Sequence, residues 1–383
     1  MHLPPIASLP WLLPFIPLIR LAWHGRRPAL ADAPQASGAL VSVVIPARNE
    51  SQNIEPVLRS VLETTYSPLE VIVVDDRSTD DTAAKTDGIV RKDARMRLVR
   101  GAELPTGWYG KPWACVQGFR AARGDLILFT DADTRHAPSL IGHAVGALQQ
   151  GHADLVTILP TQICLTLAER LVMPQLFFLL GARYHPDRVN HARVAADVIA
   201  NGQFILVRRD AYTAVGTHET VKHEVAEDLA LAQEFWRRGK KLHLAYAQEL
   251  MRTRMYTSLA QLVEGWSKNL YLGARRAYID EPLRRRLAPA GVLLGFGFWL
   301  VPPLALAAGY LWPAVLAPAA WAVAFSAVFW MIVTGGMGIP FAYGILYPAG
   351  AVLASWIALR SIIRGGERVE WKGRVYGRRE MKR

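Results

Sequence analysis

The chain has 383 residues, a net charge of +12 and a hydrophobic fraction of 51%, enough for one large domain or two smaller ones. Its two cysteines, Cys115 and Cys164, exclude a disulfide framework and a cysteine-based zinc site. Basic residues adjoin apolar runs, and residues 287–359 contain no Asp, Glu, Lys or Arg, so the charge favours a membrane surface over nucleic acid as partner.

The N-terminal segment predicts a membrane anchor over residues 1–27. Residues 3–23 are apolar except for Ser8 and Arg20, and their five prolines argue against one straight helix. No Lys or Arg precedes this run, whereas Arg26 and Arg27 follow it. An uncleaved anchor with its basic end in the cytoplasm therefore fits better than a signal peptide. Residues 28–39, rich in Pro, Ala and Ser, predict a linker.

Strand-like and helix-like stretches alternate over residues 40–160, which predicts a mostly parallel α/β sheet covered by helices. A first helix is expected after Asn49, its predicted N-cap, with an apolar face that runs from Ile54 to Leu62; further helices are expected after residue 80 and over residues 113–123. The predicted strands are 40–45, 69–74, 96–99, 125–130 and 153–159.

Polar residues follow three of these strands at their carboxyl ends, where ligands bind in open α/β sheets. The three segments are Pro46-Ala-Arg48-Asn-Glu50, Asp75-Asp76-Arg77-Ser78 and Asp131-Ala-Asp133. Taken alone, Asp75, Asp76 and Ser78 would be helix caps. Asp131 and Asp133 would be either solvated loop residues or hard oxygen ligands for a divalent cation. Three such turns in succession favour a nucleotide pocket.

The spacing of glycines and histidines in the sequence argues against three other kinds of site. The chain has no Gly-x-Gly-x-x-Gly after a strand and no Gly-x-x-x-x-Gly-Lys-Ser/Thr phosphate loop. Gly335-Gly-Met-Gly338 lies between apolar runs and predicts a turn or a helix-packing element. His218 and His223 are five residues apart rather than the four of a helical zinc-protease motif, which argues against zinc.

In order and spacing, these segments resemble the successive motifs of inverting family 2 glycosyltransferases with the GT-A fold. The matching stretches are Ile45-Pro-Ala-Arg-Asn-Glu50, Val73-Val-Asp-Asp-Arg-Ser78, Thr130-Asp-Ala-Asp133 and Ala226-Glu-Asp228. Five further stretches are similar to membrane-bound members that glycosylate lipids, of the ceramide, carotenoid and hopanoid types. They are Gly110-Lys-Pro-Trp113, Asn201-Gly-Gln203, Arg254-Met-Tyr256, Gly265-Trp-Ser-Lys-Asn269 and Glu370-Trp-Lys-Gly-Arg374.

The resemblance covers residues 40–275 and implies an α/β, Rossmann-like nucleotide-sugar-binding domain of the GT-A type there, joined to an α-helical transmembrane region. It also implies a role for each matching residue. Asp131 and Asp133 would serve the ribose or sugar and hold Mn²⁺ or Mg²⁺ on the diphosphate, and Asp228 would be the catalytic base. The residues expected to contact the uracil and ribose of a UDP-sugar are Pro46, Arg48, Glu50, Asp75 and Asp76.

The chemistry of glycosyl transfer calls for the same kinds of group. Negative charge grows on the leaving diphosphate oxygen, so cations are needed there. Lys111 and Arg254 are candidates for that support, or else surface and phospholipid contacts. The acceptor hydroxyl must lose its proton to a carboxylate within reach. Asp228 is either that base or ordinary charge at a helix start. Further acceptor or diphosphate candidates are Gly202, Gln203, Glu227, Trp266 and Lys268.

One departure from the family pattern bears on the product. Processive polysaccharide synthases of the family carry a Gln-x-x-Arg-Trp element, and this chain has Leu262-Val-Glu-Gly265-Trp266 at that spacing. The missing Gln and Arg favour transfer of a single sugar. Trp266 would either stack on the acceptor or simply pack as a large apolar residue on a helix.

The apolar stretches predict how the chain meets the membrane. Residues 165–184 predict an interfacial helix, as a lid or lipid entrance, or else a core helix of the catalytic domain. Three longer stretches, 287–311, 313–334 and 337–359, could each cross a bilayer. Three crossings would leave the basic tail, residues 360–383, outside. The positive-inside rule therefore predicts two full crossings, one re-entrant or interfacial stretch and a cytoplasmic tail.

The sequence thus predicts a multi-pass protein of the cytoplasmic (inner) membrane whose catalytic domain faces the cytoplasm. It would move a sugar from a UDP-sugar to a lipid acceptor with inversion. The alternatives are a polyprenyl-phosphate sugar transferase or polysaccharide synthase, and a non-catalytic membrane scaffold. A glycosidase would also use paired carboxylates, but it would have no need for the nucleotide-side motifs.

Overall fold

The computed structural model describes residues 5–23, 28–365, 368–371 and 374–377, in two compact units. The sheet unit comprises residues 27–163, 184–255 and 366–383. The helical unit comprises residues 1–26, 164–183 and 256–365. Parts of the predicted anchor, including Arg26 and Arg27, and much of the predicted basic tail lie outside the described residues.

Seven strands of the sheet unit form one mixed sheet in the order β3-β2-β1-β4-β8-β6-β9, and three short strands form a second sheet in the order β5-β10-β7. In the large sheet, β8 runs antiparallel to β4 and β6, and the remaining pairs are parallel. The strands are β1 Val41–Ala47, β2 Leu69–Asp75, β3 Met96–Arg100, β4 Leu126–Thr130, β5 Thr134–His136, β6 Leu155–Leu159, β7 Thr161–Gln162, β8 Phe204–Arg208, β9 Leu242–Tyr246, β10 Met251–Thr253, β11 Arg368–Trp371 and β12 Arg374–Gly377.

The central strands are buried on both faces, which explains their near-continuous apolar sequences. Every residue of β2 is buried, and in β1 only Pro46 is partly exposed. One apolar cluster packs beneath the sheet against α2 and α5, and a second packs on the other face against α4, α8 and α9. The five predicted strands all form, each within two residues of its expected limits.

The helices, in chain order, are α1 Phe15–Trp23, α2 Ile54–Leu62, α3 Thr82–Val90, α4 Gly110–Ala121, α5 Leu140–Gln150, α6 Leu167–Arg183, α7 Pro186–Asn190, α8 Arg209–Val215, α9 Glu227–Arg237, α10 Leu259–Arg276, α11 Pro282–Phe298, α12 Val301–Ala308, α13 Leu316–Gly336 and α14 Tyr347–Arg364. Helix α4 begins three residues earlier than predicted. Pro112 lies in its first turn, where a missing N–H breaks no intrahelical hydrogen bond.

Two helical segments in the described part of the chain are long and apolar enough to cross a membrane, Pro313–Gly336 and Phe341–Arg364. The first predicted stretch is instead broken into α11 and α12, which meet at 47° and would make a third span if counted together. Pro302 and Pro303 begin α12, and a proline inside a continuous helix would remove a hydrogen bond and clash with the preceding turn. The orientation predicted from the basic residues stays a prediction.

The helical unit has its own aromatic core and polar ties. Trp299 stacks on Phe329 with ring centroids 4.8 Å apart. Glu264 on α10 pairs with Arg364 at 2.6 Å and with Arg360 at 3.3 Å on α14. These contacts give α10 and α14 a fixed packing within this unit.

Candidate active site

The sheet brings the three polar strand ends to one edge. Strands β2, β1 and β4 are adjacent and parallel, so their carboxyl ends lie side by side. The register pairs Ala47 with Asp75, and the backbone N–H of Asp76 donates to the Ala47 carbonyl at 2.8 Å. The segments after β1 and β2 therefore start from the same point, as the sequence predicted.

Hydrogen bonds tie the loop after β1 to the loop after β2. The Arg48 Nη1 donates to the carbonyl oxygens of Asp76 at 2.6 Å and Arg77 at 2.8 Å. The Glu50 N–H donates to Thr82 Oγ1 at 2.8 Å. Arg48 and Glu50, both predicted to contact the nucleotide, thus also fix the shape of the edge, while Pro46 remains inside β1.

Asp75 and Asp76 are buried, with 5% and 0% of their surface exposed. They are not the caps of α3, because Asp80 accepts the hydrogen bond from the Thr82 N–H at 3.0 Å. The Oδ1 atom of each accepts no hydrogen bond from the described residues. Burial raises the pKa of Asp76 above its ordinary value, although the neighbouring Arg374 guanidinium opposes the shift. Both carboxylates retain an acceptor atom for a ligand N–H or O–H.

Lys111, in the first turn of α4, lies among acidic side chains. Its Nζ is 2.8 Å from Asp131 Oδ1 and 3.0 Å from Glu227 Oε1. Burial alone would lower the pKa of Lys111, but the charges of Asp131, Glu227 and Asp228 raise it well above its ordinary value. Lys111 is therefore a fixed cation within an ion-pair cluster. Its ammonium contacts carboxylates of the protein, whereas the alternative interpretation expected a surface or phospholipid contact.

Asp228 lies in the first turn of α9, beside this cluster. Its Oδ2 accepts from the Gly202 N–H at 2.9 Å, and its Oδ1 accepts from the Leu229 N–H at 2.7 Å. Burial, followed by the charge of Glu227, raises the pKa of Asp228 to about 6, against the opposing effect of Lys111 and the two N–H donors. A carboxylate with this pKa can take up and release a proton near neutral pH.

The close approach of the backbone at Gly202 explains why this position is a glycine. A Cβ there would lie 2.8 Å from Lys111 Nζ and 3.1 Å from Asp228 Oδ2. Any side chain would displace the ammonium or the carboxylate. The neighbouring Gln203 is 4% exposed, and its Nε2 donates to Thr253 Oγ1 at 3.2 Å. Gln203 therefore stabilises the loop that carries Gly202.

Asp131 and Asp133 are the two carboxylates predicted to hold a metal ion, and the buried Oδ1 of Asp133 accepts no hydrogen bond from the described residues. Burial raises the pKa of Asp131, and the Lys111 ammonium opposes the shift. The described residues contain no group of three or more His, Cys, Asp and Glu side chains that could hold a metal ion. Mg²⁺ commonly binds through one or two carboxylates and takes its other ligands from phosphate and water. Two carboxylates would therefore be enough for an ion held jointly with a diphosphate, and this role stays a prediction.

The small second sheet directs Arg254 towards the same region of the chain. Strand β10 pairs with β5, and the register joins Thr253 to Thr134. Asp133 directly precedes β5, and Arg254 directly follows β10. The two positions therefore adjoin the same end of the β5–β10 pairing.

Two predicted acceptor residues, Trp266 and Lys268, lie on α10 of the helical unit. Trp266 is 7% exposed, and its ring meets Phe177 edge-to-face with centroids 6.1 Å apart. This contact accounts for Trp266 as a packing residue of the helical unit. The sequence assigned no site role to Arg374, although the stretch Glu370–Arg374 was the available signal.

The chain is similar in sequence to known glycosyltransferases. The model of the family described as glycosyl transferase family 2 matches residues 42–214. A 4,4'-diaponeurosporenoate glycosyltransferase of Staphylococcus aureus strain MRSA252 is 30% identical over 242 residues, which cover 61% of this chain and 61% of that protein. Its counterpart in strain USA300 is 29% identical over 239 residues, again 61% of each chain. The chain thus spans less than two thirds of the length of these relatives.

A solved structure extends the likeness over most of the chain. A mannosyltransferase from Pyrobaculum calidifontis, determined in complex with GDP-Man and Mn²⁺, superposes with a TM-score of 0.54 at 20% sequence identity. The alignment covers 92% of this chain and 98% of that chain. At this identity the likeness shows the fold, and the predicted α/β fold class is confirmed.

Proposed function

We propose that the protein, which the model of glycosyl transferase family 2 matches over residues 42–214, transfers a sugar from a nucleotide diphosphate sugar to a lipid acceptor. The observation that carries the proposal is the cluster of Lys111, Asp131, Glu227 and Asp228 beside the carboxyl edge of the sheet. The relatives are named for 4,4'-diaponeurosporenoate, which supports a carotenoid-type lipid as the acceptor class. We propose that the donor is a UDP-sugar.

The buried aspartates supply the nucleoside end of the donor site. Asp75 and Asp76 each hold an Oδ1 that takes no hydrogen bond from the described residues. Such an atom can accept a hydrogen bond from a base N–H or a ribose hydroxyl, and an unfilled buried acceptor is otherwise costly. Arg48 fixes the loop beside them through its two hydrogen bonds to carbonyl oxygens.

Asp228 is the proposed base. The acceptor O–H bond breaks as the proton moves to Asp228, and the acceptor oxygen forms a bond to the anomeric carbon from the face opposite the leaving group. The bond from that carbon to the diphosphate breaks, and its electron pair leaves with the phosphate oxygen. Inversion of the anomeric centre follows from this single displacement. The Gly202 and Leu229 N–H groups hold both carboxylate oxygens of Asp228 in position for the transfer.

Lys111 and Arg254 are the proposed supports for the charge on the leaving diphosphate. Lys111 is a permanent cation at the edge of the sheet, and Arg254 follows β10 at the end of the β5–β10 pairing that also adjoins Asp133. A bound Mn²⁺ or Mg²⁺ on Asp131 and Asp133 would supply Lewis-acid stabilisation of the same charge.

The helical unit is the proposed membrane region. Two segments are long and apolar enough to cross a bilayer, which supports a catalytic domain over residues 40–275 held at the membrane by residues 287–359. We propose a multi-pass protein of the cytoplasmic membrane whose sheet unit faces the cytoplasm, where nucleotide sugars are made. An apolar acceptor would reach such an enzyme from the bilayer.

The test uses membranes that contain the wild type, Asp228→Asn or Asp210→Asn, each given UDP-glucose, other UDP-sugars or GDP-mannose with a total lipid extract. Asp210 is the matched control, because it is an exposed carboxylate paired with Arg208. We expect a new glycolipid by mass spectrometry from the wild type and the control, and none from Asp228→Asn. No product from the wild type with any donor would contradict the proposed function, and equal product from Asp228→Asn would remove Asp228 as the base.

A further inference from the structure

A C-terminal hairpin in the sheet unit carries a cation to the nucleotide edge. Strands β11 and β12 pair antiparallel, with Trp371 opposite Arg374. The Arg374 Nη1 donates to Asp76 Oδ2 at 2.5 Å, across 298 residues of sequence. The two side chains are 16% and 1% exposed, so the ion pair is largely removed from water.

Asp76 needs a counter-charge in this position. A buried carboxylate without a partner carries a desolvation penalty of several kcal/mol. The adjoining Asp75 adds a further unfavourable charge and raises the pKa of Asp76, whereas Arg374 and Arg48 lower it. The Arg48 Nη1 bonds backbone carbonyls, so the direct bond to the Asp76 carboxylate comes from Arg374.

The two carboxylate oxygens of Asp76 differ in their contacts. Arg374 takes Oδ2, and Oδ1 accepts no hydrogen bond from the described residues. A carboxylate held by one oxygen has its other oxygen fixed in direction. An exposed ion pair such as Arg208–Asp210 would serve equally well to fasten a hairpin to the surface, but it would fix no buried acceptor.

We propose that Arg374 is a positioning residue of the nucleotide site, which neutralises Asp76 and directs Asp76 Oδ1 to the nucleoside of the donor. The inference rests on the proposed function. It extends the donor site to a segment that lies well outside residues 42–214. The charge of Arg374 also reduces the negative charge that an anionic nucleotide diphosphate would meet beside Asp75 and Asp76.

Binding of UDP to the full-length protein in detergent, measured by titration calorimetry, tests this role. We expect Arg374→Gln to weaken UDP binding roughly ten- to hundredfold, because a charge-assisted hydrogen bond is lost and a buried carboxylate is left uncompensated. In turnover with the donor, KM should rise by a similar factor while kcat stays within about threefold. Arg208→Gln, which breaks the exposed pair, is the matched control and should bind UDP as the wild type does.

A double-mutant cycle with Asp76→Asn separates this role from simple attachment of the hairpin. If Arg374 acts through Asp76, the double variant should bind UDP no more weakly than Arg374→Gln alone, because the charge that needed neutralising is gone. Effects that multiply would show that the two residues act independently and would overturn the proposal. Tighter UDP binding by Arg374→Gln than by the wild type would overturn it as well, because the arginine would then obstruct the site.

The outcomes distinguish this inference from the proposed function. If the wild type binds neither UDP nor GDP, the proposed function is refuted. If the wild type and Arg374→Gln bind UDP with equal affinity, only the role of Arg374 is refuted. If Arg374→Gln does not fold, Arg374→Lys decides. The single contact to Asp76 needs a point charge more than a planar fork, so this variant should bind UDP within about threefold of the wild type. A tenfold loss in folded Arg374→Lys would contradict the proposal.

Discussion

The substitution Asp228→Asn should abolish activity and at the same time stabilise the fold. Burial and the charge of Glu227 raise the pKa of Asp228 from 3.8 to about 6 in the folded protein. The ionised carboxylate is thus less favourable folded than unfolded. Each pKa unit corresponds to about 1.4 kcal/mol, so the penalty above pH 6 is about 3 kcal/mol. An asparagine carries no charge and avoids it.

The asparagine side chain of Asp228→Asn also loses a hydrogen bond, which offsets part of this stabilisation. Asp228 accepts two backbone hydrogen bonds, from Gly202 and Leu229, and asparagine has one carbonyl oxygen to offer. The lost hydrogen bond costs about 1 kcal/mol, which leaves a net stabilisation of about 2 kcal/mol. For a unit of this size, that difference corresponds to an increase in Tm of about 4–8 °C.

The stability gained by Asp228→Asn should depend on pH. Because the folded pKa of Asp228 lies above the unfolded value, the wild type loses stability as pH rises from about 3.8 to about 6, and the loss is complete above pH 6. The advantage of Asp228→Asn should therefore be largest at pH 8 and smaller at pH 5. Thermal unfolding in detergent at both pH values measures it, with Asp210→Asn as a control whose exposed site should show no such gain. A lower Tm for Asp228→Asn at pH 8, or the same gain at both pH values, would refute the reasoning.

Three further predictions concern the same cluster. The kcat/KM of the wild type should fall about tenfold per pH unit below pH 6 as Asp228 becomes protonated; a flat profile down to pH 4.5 would contradict this. Gly202→Ala should lower kcat at least about tenfold because its Cβ displaces Lys111, whereas Gly88→Ala, with nothing within 4 Å of its Cβ, should leave kcat unchanged in the same assay. Lys111→Met should destabilise the protein by roughly 3 kcal/mol in chemical denaturation, because Asp131 and its acidic neighbours lose their shared cation; an unchanged midpoint would show that the cluster is solvated.

The sequence predicted those parts of the sheet that depend on local pattern. Strands β1, β2 and β4 are apolar runs followed by polar turns, and that pattern is typical of buried parallel strands. Strand β8 was not predicted, although its pairing with β4 joins the two halves of the sheet. Residues Phe204–Arg208 form a short apolar run, which periodicity alone does not distinguish from a helical segment.

In the candidate site, too, the sequence predicted only what depends on local pattern. Asp131 and Asp228 were found from motif order, and the contact between Lys111 and Glu227 was not, because it depends on how α4 and α9 pack on the sheet. The requirement for glycine at position 202 likewise becomes evident only from its distance to Lys111. The bond between Arg374 and Asp76 joins residues too far apart in sequence for any local pattern to indicate.

That bond has a consequence for the order in which the protein is made. The large sheet is complete only when β9 has been made, at Tyr246, and roughly 130 more residues must then be translated before Arg374 exists. At ordinary rates of synthesis this takes about 6–26 s, which is longer than most small domains need to fold. Helices α10 to α14 are all synthesised in that interval. The nascent sheet therefore waits with an uncompensated aspartate at its edge, and the pocket reaches its final charge only when the hairpin arrives.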